Sequence, residues 1–401
     1  MAPPLVVYLD TQDYSRFGDV LRGKSNSETE ALFRKLENYR AEGDVIFPIS
    51  MPILGELLQY DAQHRETTFK KAEAVERLCG RWALPYPSRL MAAEIAIVAR
   101  CLGLIQKTSS IDILSDERYW YPNISDIFEN FRDTLLQAAK TEIAGLGSRS
   151  DRRRTAKQVR KMDFLKAAQN AAPQIAARYQ IPIIAITNSI VSFLNGSITS
   201  YEASRNLFSY ISEPVAFVST YFENIESDRT LPQWVGGFGR ELSNTLEDLR
   251  QQLRPLMDAG AQPNEVRAMF AKLSLQMGRR MIRIAYNNVS EFGVDNALFD
   301  RFNNETKLAD RIKSCTVIGE IVGGYANCVT GLSGGREAKI ERGFGGDLMH
   351  ALYLPHVDLW RADRNFSEII KNTLPNYASR VVNTVTALPA QIEALQMRGA
   401  T

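Results

Sequence analysis

Three acidic residues stand where the sequence predicts the edge of a sheet. Asp10 directly follows the apolar run Leu5–Leu9, and Asp363 follows the alternating, strand-like run His356–Arg361. Asp347 begins a predicted helix, where a carboxylate suits the exposed amides and the positive end of the helix dipole. Because ligand sites of open α/β sheets lie at the carboxyl ends of the strands, we expect these side chains to meet there.

A fourth acid, Glu56, lies in a predicted helix that directly follows the apolar strand Val45–Ile49. Glu94, in the amphipathic run Leu90–Leu102, is a rival for the same role, but its run does not follow a strand directly. Four carboxylates packed together cannot all stay ionised without a cation. Oxygen ligands with no nearby Cys or His cluster favour Mg²⁺ or Mn²⁺ over zinc.

Several of these residues also have a purely structural interpretation. Asp10 could be a turn residue that leaves a strand, and Glu56 could belong to a solvated helix face. His350, three residues past Asp347 on the same helix face, could contact a phosphate or a metal-bound water, or be a packed helix histidine. Asp358 could be a fifth ligand or a strand residue that holds its neighbours in place.

The stretch Gly345–Phe366 reads GGDLMHALYLPHVDLWRADRNF: a glycine turn, a short helix ended by Pro355, a strand and a charged strand end. It resembles the carboxy-terminal signature of the PIN-domain family, metal-dependent ribonucleases that include many bacterial toxins. In that family an Asp opens a helix carrying an Ala or His, and a strand ending in a Thr-Asn-Asp-like tripeptide delivers the last acid. Asp347 and Asp363 occupy these two positions, and Ala362 stands where a polar residue is commoner.

The beginning of the chain resembles the same family, whereas its middle matches nothing recognised. Asp10-Thr11-Gln12 resembles the first acid tripeptide, commonly Asp-Thr-Asn, and the strand, link and helix with Glu56 resemble the second acid site. The resemblance implies that four acids bind Mg²⁺ or Mn²⁺ and are catalytic: Asp10, Glu56, Asp347 and Asp363. Four further residues are candidate substrate contacts: His350, Arg364, Asn365 and Gln12.

Strand and helix alternate up to about Ile105, which predicts a parallel sheet. From Ile124 to Val329 nearly every segment is helix-periodic, too long for a loop in a compact domain. The predicted fold class is therefore α/β, a PIN-like parallel sheet flanked by helices and interrupted by a large all-α inserted subdomain. The predicted boundaries are 1–115 and 331–401 for the two parts of the sheet domain and 116–330 for the insertion.

Local signals refine this outline. Capping boxes predict helix starts at Ser27–Glu30 and Thr199–Glu202, and Arg380–Thr386 is strand-like. Basic residues crowd the segment Arg149–Lys161, which could track phosphates or simply be a solvated helix. Arg361 and Arg364 could neutralise substrate phosphates or pair with the acids.

Composition sets outer bounds. The chain has 401 residues, 45% of them hydrophobic, and a formal net charge of +2, so no global basic field indicates nucleic acid. The four cysteines form no CxxC pair and are expected to be reduced, buried thiols. No signal peptide or membrane span is evident, and we expect a soluble cytoplasmic protein with no membrane partner.

The preferred functional interpretation is a divalent-metal-dependent nuclease, an endonuclease that hydrolyses RNA and could be a toxin or defence effector. A catalytically inactive PIN-like scaffold that binds RNA or protein is the main alternative. DNA cleavage at the same site, or a helical scaffold with accidental acids, also remains open. The helical insertion could position the substrate, hold a protein partner or mediate self-association.

Overall fold

The structure is a computed structural model of the chain. It describes residues 3–58, 64–105, 111–145, 148–151, 153–154, 164–179, 181–224, 233–302, 310–311, 314–324, 326 and 344–399. Contacts divide the chain into two compact units. The sheet unit contains Met1–Tyr121 and Trp234–Thr401, and the helical unit contains Pro122–Gln233. The helical unit is thus shorter than the 116–330 insertion expected from sequence, because the helices after Trp234 belong with the sheet.

Within the described residues, the sheet unit has one sheet of four short parallel strands. They are β1 (Leu5–Tyr8), β2 (Val45–Ile46), β3 (Leu359–Arg361) and β4 (Val381–Val382), in the spatial order β2-β1-β3-β4. Val7 lies opposite Leu359 and Tyr8 opposite Trp360. Since β1 and β3 run the same way, the residues that follow them emerge at the same edge.

The strands form because their apolar runs are covered on both faces. Val7, Tyr8 and Leu9 are completely buried, as expected of a central parallel strand. The strands are shorter than predicted from Val45–Ile49, His356–Arg361 and Arg380–Thr386. Proline limits two of them, since Pro48 follows β2 and Leu354–His356 forms a 3-10 turn around Pro355. In the third, Val385–Ala387 forms another 3-10 turn.

Helices make up most of the described chain. They are α1 (Thr11–Leu21), α2 (Ser27–Glu42), α3 (Met51–Leu57), α4 (Arg65–Cys79), α5 (Pro87–Cys101), α6 (Ser125–Gly145), α7 (Phe164–Tyr179), α8 (Ile183–Leu194), α9 (Ser200–Ser209), α10 (Pro214–Asn224), α11 (Gln233–Asp258), α12 (Pro263–Ala285), α13 (Asn296–Phe302), α14 (Phe344–Ala351), α15 (Arg364–Thr373) and α16 (Leu388–Gly399). A 3-10 helix spans Tyr286–Phe292, a 3-10 turn spans Pro375–Arg380, and a π-helical turn spans Thr316–Val322.

Close packing fixes α1 against its neighbours in the sheet unit. The ring of Phe17 stacks on that of Phe33, with centroids 4.8 Å apart. Gly18 faces α4, and a Cβ there would lie 3.0 Å from the backbone nitrogen of Lys71. A larger residue at this position would push the two helices apart. The helix that follows Asp10 is therefore held firmly.

The helical unit contains α6 to α10, and its described residues include no strand, in line with the all-α expectation. The predicted capping box at Thr199 is confirmed. The Thr199 hydroxyl accepts the Glu202 amide at 3.1 Å, and the Glu202 carboxylate accepts the Thr199 amide at 2.7 Å. Of the basic segment, Arg149, Arg153 and Arg154 are exposed, whereas residues 152 and 155–161 lie outside the described residues.

Two further expectations concern environment. Cys79 and Cys315 are buried free thiols, as predicted, but Cys101 is exposed because it ends α5 at the surface. Across the described ranges, no helix combines the length and apolarity needed to cross a membrane.

The first cap of α2 differs from the prediction. Asn26, not Ser27, is the N-cap: its side-chain oxygen accepts the Thr29 amide at 2.8 Å, and Ser27 is the first helical residue. Asparagine caps as well as serine does, so the motif alone did not decide between adjacent positions.

We therefore expect Asn26→Ala to lower the free energy of unfolding by about 1 kcal/mol, because one helix-terminal amide loses its partner. Ser27→Ala is the matched control and should change it by less than about 0.5 kcal/mol. Urea unfolding of both variants measures the difference. An equal or larger loss for Ser27→Ala would restore the original prediction.

Candidate functional site

A cavity of about 250 Å³ lies where β1 and β3 end, and all four predicted acids line it. These are Asp10, Glu56, Asp347 and Asp363, and their neighbours in the lining are Tyr8, Thr11, Gln12, Ser15, His350, Trp360, Arg361, Ala362 and Phe366. Segments from the two ends of the sequence thus build one acidic site.

Asp10 and Asp363 owe their positions to the same local design. Each ends the stretch after a strand and is the N-cap of the next helix, α1 or α15. Asp10 Oδ1 accepts the Gln12 amide at 3.2 Å, and Asp363 Oδ1 accepts the Phe366 amide at 2.7 Å. These bonds orient each carboxylate at the strand end.

Glu56 reaches the cavity from α3 and is paired with His350 of α14. Glu56 Oε1 lies 3.1 Å from His350 Nε2. Burial alone would raise the pKa of Glu56, but the charge and hydrogen bond of His350 lower it. Conversely, burial lowers the pKa of His350, yet the negative charge and hydrogen bond of Glu56 raise it overall. Glu56 and His350 thus each favour the charged form of the other in the cavity wall.

A short chain of hydrogen bonds supports that pair from behind. His350 Nδ1 lies 2.7 Å from the Tyr8 hydroxyl, which lies 2.6 Å from Ser50 Oγ. With both ring nitrogens protonated, Nδ1–H donates to Tyr8, and Tyr8 donates to Ser50. Tyr8 and Ser50 were not site candidates, since an apolar strand and a helix cap gave sufficient reasons for them.

Asp10 has a different cationic neighbour. Arg361, the last residue of β3, places Nη1 3.6 Å from Asp10 Oδ2 and Nη2 3.0 Å from Asp13 Oδ1. Asp13 is completely buried, and its carboxylate also accepts the Asp10 amide at 3.3 Å. Asp13 was missed, although it stands three residues after Asp10, the position that completes a capping box.

Asp347 lacks such a neighbour. Within the described residues, no basic side chain lies within ion-pair distance of it or of Asp363. Burial raises the pKa of Asp347 to about 7, the charge of His350 opposes this, and the charges of Glu56, Asp363 and Asp10 add to it. Burial likewise raises the pKa of Asp10. Of the four acids, Asp347 is therefore the one for which the site most disfavours the charged form in the absence of a cation.

The donor set fits a hard divalent cation in chemistry and in charge, because it consists of carboxylate oxygens with excess negative charge. No three His, Cys, Asp or Glu side chains in the described part of the chain lie close enough together to hold an ion as they stand. Glu56 and Asp10 are instead turned toward His350 and Arg361. A shared ion would have to draw these carboxylates inward from their present partners.

Three sequence candidates lie outside the cavity lining. Arg364 and Asn365 are exposed, because they form the first turn of α15 on its outer side, and Arg364 lies 3.6 Å from Glu368. Glu94, the rival of Glu56, is buried and accepts the Val317 amide with both oxygens, at 2.8 and 3.0 Å. It caps the π-helical turn. Gln12 and His350 do line the cavity.

Asp358 has a structural role. Its carboxylate accepts the Val6 amide at 2.8 Å, and its own amide donates to the Val6 carbonyl at 2.8 Å. It fastens the start of β3 to β1, as expected of a strand residue that holds its neighbours in place.

Comparison of the chain with models of known protein families, with curated proteins and with solved structures finds no match.

The charge on Asp347 leads to a stability prediction for the metal-free protein. A carboxyl group with a folded pKa near 7 and an ordinary value of 3.8 weakens folding increasingly as the pH rises from about 4 to about 7. In the presence of a chelator, we expect Asp347→Asn to raise the unfolding temperature clearly at pH 8 and much less at pH 5.

The matched control is Asp44→Asn, which removes an exposed carboxylate in the same unit. Thermal unfolding of the parent and both variants at the two pH values gives the comparison. A gain for Asp347→Asn that does not grow with pH would contradict the electrostatic account.

Proposed function

We propose that this chain is a divalent-metal-dependent nuclease with a PIN-like sheet domain. The observation that carries the proposal is the convergence of Asp10, Glu56, Asp347 and Asp363 on one cavity at the carboxyl edge of a parallel sheet. The pattern of the sequence alone predicts the same four acids as metal ligands. The preference for RNA, and for a toxin or defence role, follows from the resemblance of the two ends of the chain to PIN ribonucleases.

In this proposal the four carboxylates hold the ion, and Asp347 is the one that most needs it. Mg²⁺ or Mn²⁺ held by these residues would supply Lewis-acid polarisation of the phosphoryl group and make the attacking water easier to deprotonate. Water attacks phosphorus, and the bond to the leaving sugar oxygen breaks. A carboxylate oxygen of Glu56, once turned from His350, is a candidate acceptor for the proton of the water, and the leaving sugar oxygen takes its proton from solvent. The side-chain amide of Gln12 is available to orient a phosphate oxygen or a water.

The alternative is a PIN-like fold that no longer cleaves and serves as a scaffold for RNA or protein. The ion pairs His350–Glu56 and Arg361–Asp10 favour it, because they already satisfy two of the four acids. The raised pKa of Asp347 favours the nuclease, because a scaffold has no need of a half-buried acid without a basic partner.

Asp347→Asn decides between these functions. In a nuclease, losing a ligand should reduce Mn²⁺-dependent cleavage of a mixed-sequence RNA by more than about 100-fold, beyond the effect of outer-shell partners. Asp44→Asn should cleave like the parent. A matched single-stranded DNA in the same assay tests the preference for RNA.

Thermal unfolding provides a readout that does not depend on turnover. Mn²⁺ should raise the unfolding temperature of the parent at pH 8 and have little effect on Asp347→Asn, because binding only to the folded state stabilises it. If Asp347→Asn cleaves RNA as fast as the parent, Asp347 is not a ligand of a nuclease metal site. A parent that shows neither cleavage nor stabilisation by Mn²⁺ supports the scaffold.

A further inference from the structure

Arg361 carries a buried guanidinium group, two of whose nitrogens have no hydrogen-bond partner among the described residues. The residue is 3% exposed and lines the acidic cavity. Nη2 forms an ion pair with Asp13 Oδ1 at 3.0 Å, and Nε and Nη1 are the two nitrogens without a hydrogen-bond partner in the described part of the chain. Nη1 approaches Asp10 Oδ2 only to 3.6 Å, which is an electrostatic contact rather than a hydrogen bond. A buried donor without a partner destabilises the folded state, and a charged one does so more strongly.

The cavity also presents a charge problem to any phosphodiester. Four carboxylates outweigh one divalent ion, so an anionic backbone entering the site meets net negative charge unless a cation faces it. His350 is already paired with Glu56 at 3.1 Å. Arg361 is the described basic side chain of the lining that combines a permanent charge with unfilled donors.

We propose that Arg361 contacts the substrate phosphate, with Nη1 donating to a non-bridging oxygen of the scissile phosphodiester. This inference rests on the proposed nuclease function and assigns the phosphate contact of that site. Guanidinium groups suit phosphate oxygens because their donors are planar, fixed and always charged. The same contact stabilises the charge that develops on the phosphoryl oxygens during attack.

Asp13 is the positioning residue for this contact. Its Oδ1 forms an ion pair with Nη2 of Arg361 at 3.0 Å, and its Oδ2 accepts the Asp10 amide at 3.3 Å. One buried carboxylate thus fixes the arginine relative to the strand end that carries Asp10. Alternatively, Arg361 could serve only as the counter-ion of Asp13. The experiment must distinguish this role from contact with the phosphate.

The double variant Arg361→Gln/Asp13→Asn makes that separation. Arg361→Gln alone leaves the Asp13 carboxylate buried without a partner, which is strongly destabilising whatever the role of the arginine. Removing both charges restores neutrality, and Asn and Gln can still hydrogen-bond each other. The four proteins to compare are the parent, Asp13→Asn, Arg361→Gln and the double variant.

Two readouts are needed: Mn²⁺-dependent cleavage of mixed-sequence RNA, and binding of the same fluorescein-labelled RNA with Ca²⁺ in place of Mn²⁺. We expect the double variant to unfold near the temperature of the parent, to turn over at least tenfold more slowly and to bind RNA about tenfold more weakly. If it cleaves and binds like the parent, Arg361 is only a counter-ion and the proposal is wrong.

The binding readout also keeps this inference apart from the proposed function. If the parent binds RNA without cleaving it, the proposed nuclease activity is wrong. The RNA affinity of the double variant alone then tests whether Arg361 contacts the phosphate. If the parent does neither, both proposals fall. Should the double variant not fold, Arg361→Lys carries the test. Its amine can satisfy Asp13 but cannot span to a second oxygen, so turnover should fall about tenfold, and parental turnover overturns the proposal.

Discussion

Repulsion among carboxylates that share one small cavity is the constraint on which the site depends. Burial makes each charge more costly, and the presence of the others adds to that cost. Each acid is accommodated differently. Glu56 lies beside an imidazole, Asp10 beside a guanidinium and Asp363 accepts a backbone amide, whereas Asp347 has a raised pKa. Asp347 therefore either keeps its proton or requires an external cation.

The topology explains why such an arrangement is attainable. β1 and β3 are parallel neighbours in the middle of the sheet, so their carboxyl ends deliver Asp10 and Asp363 side by side. Both residues then act as helix caps, which means that the same bond that starts a helix also aims a carboxylate. Arg361 precedes Asp363 by two residues in the same segment and therefore faces the same cavity.

The four acids could be predicted to lie together because each has a local signature. Asp10 and Asp363 follow strand-like runs, Glu56 lies in the helix after a strand, and Asp347 lies in the first turn of a helix that also includes Gly345 and Gly346. Asp13, Tyr8 and Ser50 could not, since an apolar strand or a helix cap explains them without reference to a partner far along the chain. Arg364 and Asn365 were misplaced because α15 begins immediately after Asp363, and its first turn carries them outward. Amphipathic periodicity identified α11 and α12 as helices but did not reveal which core they pack against.

The pairing of β1 with β3 also has a consequence for how the molecule is made. Val6 and Asp358 exchange hydrogen bonds although they are 352 residues apart. At the usual pace of translation, this separation corresponds to a delay on the order of tens of seconds. A nascent chain that has just emerged carries Asp10 and Glu56 but neither Asp347 nor Asp363. The growing polypeptide is therefore without a complete acidic centre for most of its time on the ribosome.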